Sequence, residues 1–300
     1  MDLVKQFGPD AAKLSINQYC PPKSFELAGK KFNFVLDTAE YAGDAYLNFV
    51  DEDTVEWSIM GGASTGKDVY ECRKGDDYTY LVTYCLEGKT PRENHTWVID
   101  REQELVTYLR CALGENQLWP YLIDSHFGFG YIKMDGKEHT DLRRHGFTDD
   151  CTGTGVKWVY GHELATVHIY NNSNWYRITY PKDRKSSQES QEAAAAMQEM
   201  VGALPGPDEP TFYVKIKEGM YFLSLTEQNM EKIRGAKGMF RSDTLCFLDN
   251  WKRLYSVGRG FGTITTAEGE DTPVYVMIGK YGVPEEVDEH FFTDPNPYMV

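Results

Sequence analysis

The chain has 300 residues, which is enough for two ordinary domains or one large one. Its formal net charge of −15 argues against nucleic acid or an anionic membrane as the partner, because both are bound by clustered Lys and Arg. Since the chain has no apolar run of roughly eighteen residues and no secretion signal, we expect a cytoplasmic protein whose partner is a small molecule, not a membrane.

Residues 1–26 are irregular in sequence and predict an N-terminal arm. From Leu27 the chain changes to short runs rich in Tyr, Phe, Val and Thr, separated by Gly, Asp and Asn. This pattern is typical of an antiparallel meander that closes into a barrel, and we assign residues 27–144 to a first barrel and its linker. The runs are KKFNFVLD, DAYLNFVD, DTVEWSIM, YTYLVTYCLE, HTWVIDRE and ELVTYLRCAL.

One stretch of this half, GGASTGK at residues 61–67, fits the first seven positions of the phosphate-binding P-loop. The eighth position should supply a hydroxyl to Mg²⁺, but it is Asp68. The residues that follow favour strands, whereas a P-loop opens a helix. We therefore interpret GGASTGK as a bend between two strands.

A second set of strand-like runs predicts a second barrel over residues 145–283. A helical insert at 187–204 interrupts it and should lie at the periphery, and residues 284–300 form an acidic tail. The expected fold class is all-β, with two tandem antiparallel barrels and one peripheral helical insert. The second-half runs include GVKWVYG, ATVHIYN, NWYRITYP, FYVKIKE, YFLSLTEQ, LCFLDN and RLYSVGRG.

The two halves share a faint internal repeat, which favours duplication of one barrel over chance similarity between two meanders. The matching segments are 29–36 with 153–160, 55–59 with 174–178, and 80–87 with 220–227.

Three polar residues of the second half share strand faces with residues that ought to be buried, and they are our candidate catalytic groups. Arg177 would hold a carboxylate or enolate oxygen, Glu227 would exchange a proton, and Tyr160 would donate to a developing oxyanion. An internal Arg–Glu salt bridge that only stabilises the barrel is the alternative. The predicted substrate-binding residues are Trp158, Tyr176, His168 and Tyr221.

No His, Cys or carboxylate cluster has the spacing of metal ligands, and the six cysteines contain no C-x-x-C pair. The glycines of VGRGFG at 257–262 are followed by strand-like residues instead of the helix of a dinucleotide site. We therefore expect no metal and no cofactor.

Several of these runs carry a family resemblance. The chain resembles the MoaF-like proteins, named for molybdenum cofactor biosynthesis protein F. Their N-terminal half is similar to LAGKKFNFVLD, LNFVDEDTVEWSIMGG and YTYLVTYCLEG. Their C-terminal half is similar to TDDCTGTGVKWVYGHELATVHIYNNSNWY and GMYFLSLTEQ. The resemblance covers about residues 25–282. It implies two tandem lipocalin-like barrels and no particular reaction.

The same strands resemble phenolic acid decarboxylases, lipocalin-like barrels that need no cofactor and work with two tyrosines, an arginine and a glutamate. In the second half this resemblance points to Tyr160, Arg177 and Glu227, while Trp158 replaces one tyrosine. Because an indole N–H cannot accept a proton, the replacement argues against decarboxylation of a para-hydroxycinnamate. The first half departs at every position, with Phe34, Leu36, Ser58 and an out-of-register Glu87.

We therefore expect a cofactor-independent enzyme that binds a small hydrophobic, oxygenated molecule and catalyses an acid–base step. Isomerisation, cyclisation and a decarboxylation-type lyase reaction all fit, and a tailoring step in secondary metabolism would suit such a fold by analogy. The alternative is a non-catalytic, lipocalin-like carrier. The sequence leaves a homo-oligomer open.

Overall fold

The computed structural model describes residues 16–115, 117–118, 121–136, 139–162, 165–179, 208–227, 240–265, 270–284 and 286. Contacts divide the chain into two compact units. One unit comprises Pro21–Gly146 with Lys215–Glu218, and the other comprises the described parts of Met1–Cys20, Phe147–Val214 and Gly219–Val300.

The first barrel closes eight antiparallel strands in the order of the sequence. Each strand pairs with the next, and β1 returns to β8 with Leu36 opposite Gly130. The strands are β1 (Lys31–Leu36), β2 (Gly43–Phe49), β3 (Thr54–Ile59), β4 (Ser64–Lys74), β5 (Thr79–Cys85), β6 (Arg92–Asp100), β7 (Leu105–Leu113) and β8 (Ile123–Lys133).

The second barrel contains β10 to β17 and is closed by the pairing of β12 with β13, where Arg177 lies opposite Asp208. A two-residue strand, β9 (Gly146–Phe147), precedes it in the chain. The barrel strands are β10 (Thr154–Val159), β11 (Ala165–Asn172), β12 (Trp175–Thr179), β13 (Asp208–Lys217), β14 (Met220–Glu227), β15 (Phe240–Asn250), β16 (Tyr255–Thr265) and β17 (Asp271–Pro284).

Period-two alternation produces both cores, because successive side chains of a strand point to opposite faces of the sheet. In the first barrel the inward side chains form one cluster that includes Phe34, Leu47, Trp57, Tyr84 and Trp97. In the second barrel the corresponding cluster includes Trp158, Tyr170, Tyr176, Leu223, Phe247 and Ile278. Each barrel therefore encloses its own aromatic interior.

The predicted bend of GGASTGK lies between β3 and β4 at residues 61–63, while the remaining residues, 64–67, already belong to β4 and pair with β3. A single 3-10 turn, Met60–Gly62, contains Gly61 at a positive φ of 63°, a conformation in which glycine is favoured over residues with a Cβ. Gly66 packs under the Trp57 ring, where a Cβ would lie 2.5 Å from an indole carbon. The Trp57 indole also donates to Asp68 at 2.7 Å. The stretch is a barrel corner.

The glycines of VGRGFG also belong to a strand, β16, where their alternate positions place all three on the interior face of the second barrel. A Cβ on Gly258 would lie 2.0 Å from the Cys246 carbonyl oxygen and 2.5 Å from the Phe247 ring. A Cβ on Gly260 would meet the side chains of Val276 and Leu245 at 3.2 and 3.3 Å. Glycine is needed here because inward side chains of neighbouring strands lie across β16.

The structure confirms the all-β class and the two tandem antiparallel barrels. The segment pairs of the internal repeat fall on the first, third and fifth strands of each barrel. The predicted helical insert at 187–204 lies outside the described residues, as do residues 1–15 of the arm and nearly all of the tail. Within the described part of the chain, no helix has the length and apolar character needed to cross a bilayer. The boundaries at 27–144 and 145–283 stay predictions.

Candidate functional site

The interior of the second barrel contains a buried lysine and aspartate that face each other. Lys280 Nζ lies 3.8 Å from Asp249 Oδ1, and both side chains are fully buried. Neither of these two atoms has a hydrogen-bond partner in the described part of the chain. The other oxygen, Asp249 Oδ2, accepts a hydrogen bond of 3.5 Å from the Tyr170 hydroxyl.

Alternation on β17 and β15 points these two side chains inward. Lys280 follows Val276 and Ile278 on the interior face of β17, and Asp249 follows Phe247 on the interior face of β15. The ammonium lies 3.3 Å from the centroid of the Phe247 ring and 4.4 Å from that of Trp158. Aromatic faces therefore form much of the surroundings of the amine.

Burial sets the protonation of this pair. Loss of hydration lowers the pKa of Lys280 to about 8, and the Asp249 carboxylate only partly opposes this shift. Burial likewise raises the pKa of Asp249, opposed first by the Lys280 charge. Compared with the same side chains in water, Lys280 therefore has a lowered pKa and Asp249 a raised pKa.

A phenol and an imidazole form a second contact beside the pair. The Tyr160 hydroxyl lies 3.3 Å from His168 Nε2, and the Thr166 hydroxyl lies 3.5 Å from the same phenol oxygen. Burial lowers the pKa of His168 well below its usual value, and the Lys280 charge adds to this effect. His168 is therefore neutral, and its Nε2 can accept the hydrogen bond of the Tyr160 hydroxyl.

The third contact joins Tyr176 and Glu227. The Tyr176 hydroxyl donates to Glu227 Oε1 at 3.0 Å, and both side chains are buried. Burial raises the pKa of Tyr176 well above its usual value, and the negative charges of Glu227, Glu209 and Asp243 raise it further. The phenol is therefore a proton donor surrounded by carboxylates.

Arg177 does not join these groups, which corrects its predicted position. On β12 the interior cluster contains Tyr176 and Ile178, so the Arg177 side chain between them points to the opposite face. There it is buried and pairs with Asp208, with Nη2 donating to Oδ2 at 3.1 Å. NWYRITY has aromatic residues on both faces of the strand, so its pattern does not show which face is buried in the barrel. The prediction placed Trp175 and Arg177 inside, but Tyr176 and Ile178 face the interior.

The other predicted binding residues lie towards one end of the barrel. The Trp158 indole donates to the Tyr170 hydroxyl at 3.2 Å. The Tyr221 hydroxyl donates to Asp150 Oδ2 at 3.3 Å, and its ring packs 4.9 Å from that of Trp251. These aromatic side chains connect the Lys280–Asp249 pair with the mouth of the barrel.

An open cavity of about 420 Å³ lies at this mouth. Its apolar walls include Val156, Trp158, Trp251, Leu254 and Pro284. Trp158 borders the cavity and also lies 4.4 Å from Lys280 Nζ, so one indole ring separates the cavity from the amine. A planar apolar molecule in this cavity would lie against the indole ring that also contacts the Lys280 amine.

Strand pairing gives each interior position of the second barrel a counterpart in the first. Trp158 lies opposite Gly282, and its counterpart Phe34 lies opposite Ile132, so Lys280 corresponds to Gly130. The pairings around the barrel extend the correspondence to the other polar groups. Asp249 corresponds to Ile99, His168 to Leu47, and Glu227 to Leu86.

The first barrel has a smaller polar network of its own. His95 Nε2 lies 2.8 Å from Glu93 Oε1, and His95 Nδ1 lies 3.3 Å from the Tyr84 hydroxyl. The Trp97 indole donates to that hydroxyl at 3.1 Å, which leaves the phenol proton for His95 Nδ1. Glu93 also accepts from Arg110 at 3.0 Å. The network is fully partnered and buried, as a structural network should be.

Sequence reasoning missed Lys280 and Asp249, although a signal was present. Both follow a row of apolar residues at alternate positions, VYVMIGK and LCFLD, so each continues an interior face. A lysine or aspartate near the end of a strand is ordinarily exposed, so the alternation alone did not predict that Lys280 and Asp249 are buried. The described residues contain no group of three or more His, Cys, Asp or Glu side chains arranged to hold a metal ion.

Comparison with known proteins supports the family resemblance. Residues 10–114 match the model of the MoaF N-terminal domain family, and this segment holds β1 to β7 of the first barrel. The two tandem eight-stranded barrels fit a MoaF-like protein. A barrel of this kind is consistent with small-molecule binding, and the family match specifies no reaction. No curated protein matches the chain.

Proposed function

We propose that the second barrel of this chain, whose residues 10–114 match the MoaF N-terminal domain family, binds a small, mostly apolar, oxygenated molecule. We further propose that it catalyses a proton-transfer step on this molecule without a cofactor. The difference between the two barrels carries the proposal. Where the first barrel has Gly130, Ile99, Leu47 and Leu86, the second has Lys280, Asp249, His168 and Glu227.

This difference favours function over stability because buried ionisable groups are costly. Each charge taken out of water costs several kcal/mol unless it is well paired, and the first barrel closes with apolar residues at the same places. The second barrel keeps these groups next to aromatic walls and an open cavity. Perturbed ionisable groups beside a cavity are typical of catalytic sites.

The contacts suggest roles for two of the three pairs. Glu227, which accepts a hydrogen bond of 3.0 Å from the Tyr176 hydroxyl, is the proposed acid–base group. Tyr160, within 3.3 Å of His168, is the proposed donor to a developing oxyanion. Arg177 has no part in this version of the site because its side chain lies on the other face with Asp208. Isomerisation, cyclisation and loss of a small group remain the reaction classes that such groups serve.

The first experiment measures binding and proton transfer separately. The full chain is titrated with cinnamaldehyde, para-hydroxycinnamic acid and benzoylacetone, and binding is followed by quenching of tryptophan fluorescence, since Trp158 and Trp251 line the cavity. Exchange of the methylene protons of benzoylacetone with D₂O is then followed by NMR above the buffer rate. We expect saturable binding of at least one compound and faster exchange of benzoylacetone in the presence of the protein.

Replacing Glu227 decides between an enzyme and a carrier. Glu227→Gln should keep the fold and the affinity but slow exchange by roughly a hundredfold or more, because it removes the proton-transfer group. Glu218→Gln, at an exposed carboxylate, is the matched control and should change neither quantity. Binding without any exchange would support a carrier instead. A chain that binds none of the compounds would refute the proposal.

A further inference from the structure

We infer that Lys280 captures the carbonyl group of a small planar aldehyde or ketone as an imine inside the second barrel. This inference rests on the proposed function, since it uses the same cavity and the same ligand class, and it adds a covalent step at a residue that the proposed proton transfer does not use. The carbonyl oxygen is the polar atom that the oxygenated ligand would present to the barrel interior.

The position of the amine is the first support. Lys280 Nζ has no hydrogen-bond partner in the described part of the chain, and it lies between the faces of Phe247 and Trp158. The Trp158 ring also borders the mouth cavity. A planar ligand that slides past this indole would bring its polar end to Nζ while its body stays against aromatic rings.

The spacing of the ion pair is the second support. A charge-assisted hydrogen bond between an ammonium and a carboxylate measures about 2.7–2.9 Å, whereas Lys280 Nζ and Asp249 Oδ1 are 3.8 Å apart. A pair that served stability alone would be expected to close this gap, because a buried ion pair offsets its loss of hydration only with good hydrogen-bond geometry. The Lys280 amine and Asp249 instead stand at a distance that leaves room for chemistry at the nitrogen.

Protonation is the third support. An amine attacks a carbonyl only in its neutral form, and burial lowers the pKa of Lys280 to about 8. Near pH 7.5 its neutral fraction exceeds that of an ordinary lysine by on the order of a hundredfold. The other ionisable groups nearby are Asp249 on β15, Tyr170 and His168 on β11, and Tyr160 after β10. The aspartate favours the charged amine, and the neutral His168 does not.

The step balances without a further reagent. The Nζ lone pair forms a bond to the carbonyl carbon, and the carbonyl oxygen takes up the first proton released by the nitrogen, relayed by the Asp249 carboxylate 3.8 Å away. The nitrogen then releases its second proton, which passes through Asp249 to the new hydroxyl group as the carbon–oxygen bond breaks. One imine and one water are formed, and no atom is oxidised or reduced.

Reductive trapping tests the inference on the full chain. The protein is incubated with cinnamaldehyde and sodium cyanoborohydride at pH 7.5 and analysed by intact mass spectrometry and peptide mapping. We expect addition of one cinnamyl group at Lys280, at least about tenfold faster than at any other lysine, in line with the larger neutral fraction. Labels spread over exposed lysines with Lys280 unmodified would overturn the inference.

Two variants separate the amine from its surroundings. Lys280→Met should remove the fast labelling, and Lys252→Met, at an exposed lysine beside Trp251, should leave it unchanged. Thermal unfolding shows whether each variant folds, and if Lys280→Met does not, the mapped site in the unaltered chain decides alone. Saturable fluorescence quenching by cinnamaldehyde without a label on Lys280 would refute the imine but leave the proposed binding function intact. Absence of binding by the whole compound panel would instead refute the proposed function.

Discussion

At the scale of single residues, Lys280 shows how a barrel interior changes the chemistry of an ordinary side chain. The surrounding rings replace water around the ammonium, and the Asp249 carboxylate at 3.8 Å restores only part of the lost solvation. The proton is therefore held less firmly in the folded chain than in the unfolded chain. This difference makes stability depend on pH.

The sign of that dependence follows from proton counting. Between pH 8, the folded pKa of Lys280, and its unfolded pKa of about 10.4, the unfolded chain binds more protons, so Lys280 makes the folded state more stable as pH rises. The unfavourable contribution at pH 7 is on the order of 3 kcal/mol and disappears across this window. We predict that the unfolding free energy of wild type minus that of Lys280→Met rises between pH 8 and pH 10. Urea titrations at each pH measure it, and a constant difference would contradict the assignment.

At the scale of elements, β16 depends on the absence of side chains at two interior positions. Inward side chains from β15 and β17 fill the space that residues at Gly258 and Gly260 would otherwise occupy. The two glycines differ in what they touch. Gly258 faces a backbone oxygen, which cannot move without shifting the strand, whereas Gly260 faces side chains that can adjust.

We predict that Gly258→Ala destabilises the chain by roughly 2 kcal/mol or more, because the new methyl group would lie 2.0 Å from the Cys246 carbonyl oxygen. Gly260→Ala, with contacts of 3.2 Å and longer, should cost clearly less. Thermal or urea unfolding of the two variants provides the comparison. If both variants lose the same unfolding free energy, the contact with the Cys246 carbonyl oxygen does not determine the effect.

The seam between β12 and β13 is the second element whose stability can be tested. Arg177 and Asp208 are direct cross-strand partners, and their ion pair, with the arginine buried and the aspartate half-buried, bridges the strands that close the barrel. We predict that Arg177→Met costs roughly 3 kcal/mol of unfolding free energy, because it leaves the Asp208 carboxylate without this guanidinium. Any folded fraction should keep ligand affinity and proton exchange. Loss of exchange with stability unchanged would return Arg177 to the catalytic groups.

At the scale of the whole molecule, both barrels bury histidines in their neutral form. Burial lowers the pKa of His95 and His145 in the first unit and that of His168 in the second. Below the unfolded pKa of about 6.5 the unfolded chain takes up protons that the folded chain does not, so acid favours unfolding. Glu93, whose pKa is lowered to about 2 by hydrogen bonds from His95 and Arg110 despite its burial, adds to this loss below about pH 4.5.

We predict that the unfolding free energy falls as pH decreases from 7 to 5, and that His168→Phe reduces this fall. Each histidine that stays neutral contributes up to about 1.4 kcal/mol per pH unit once the pH is below its unfolded pKa. Thermal denaturation at pH 7, 6 and 5 for wild type and the variant tests the prediction. A variant with the same pH dependence as wild type would show that His168 is protonated in the fold.

Much of the fold could be predicted from the sequence because alternation is local. Runs such as KKFNFVLD and YFLSLTEQ carry their own strand signal, and their Gly and Asp punctuation marks the turns. The site was less accessible. Tyr160, His168, Tyr176 and Glu227 were named as candidates and lie inside the barrel, but their catalytic and binding roles stay predictions.

The errors have the same physical origin. A strand with large residues on both faces, such as NWYRITY, does not show which face is buried, and a one-residue slip reverses every side chain. Arg177 was assigned to the wrong face for this reason. Lys280 and Asp249 were overlooked because their meeting depends on β15 and β17, which are separated in the barrel by β16.

The amino-acid sequence by itself determined the all-β class, the two sets of strands and the glycine bend after β3, since each follows from residue periodicity and turn chemistry over a few neighbouring positions. Only the tertiary structure decided that Lys280 faces Asp249 at 3.8 Å and that Arg177 faces Asp208 instead of Glu227. Barrel closure and strand register are set by contacts between segments far apart in the chain. They determine which polar side chains share an interior.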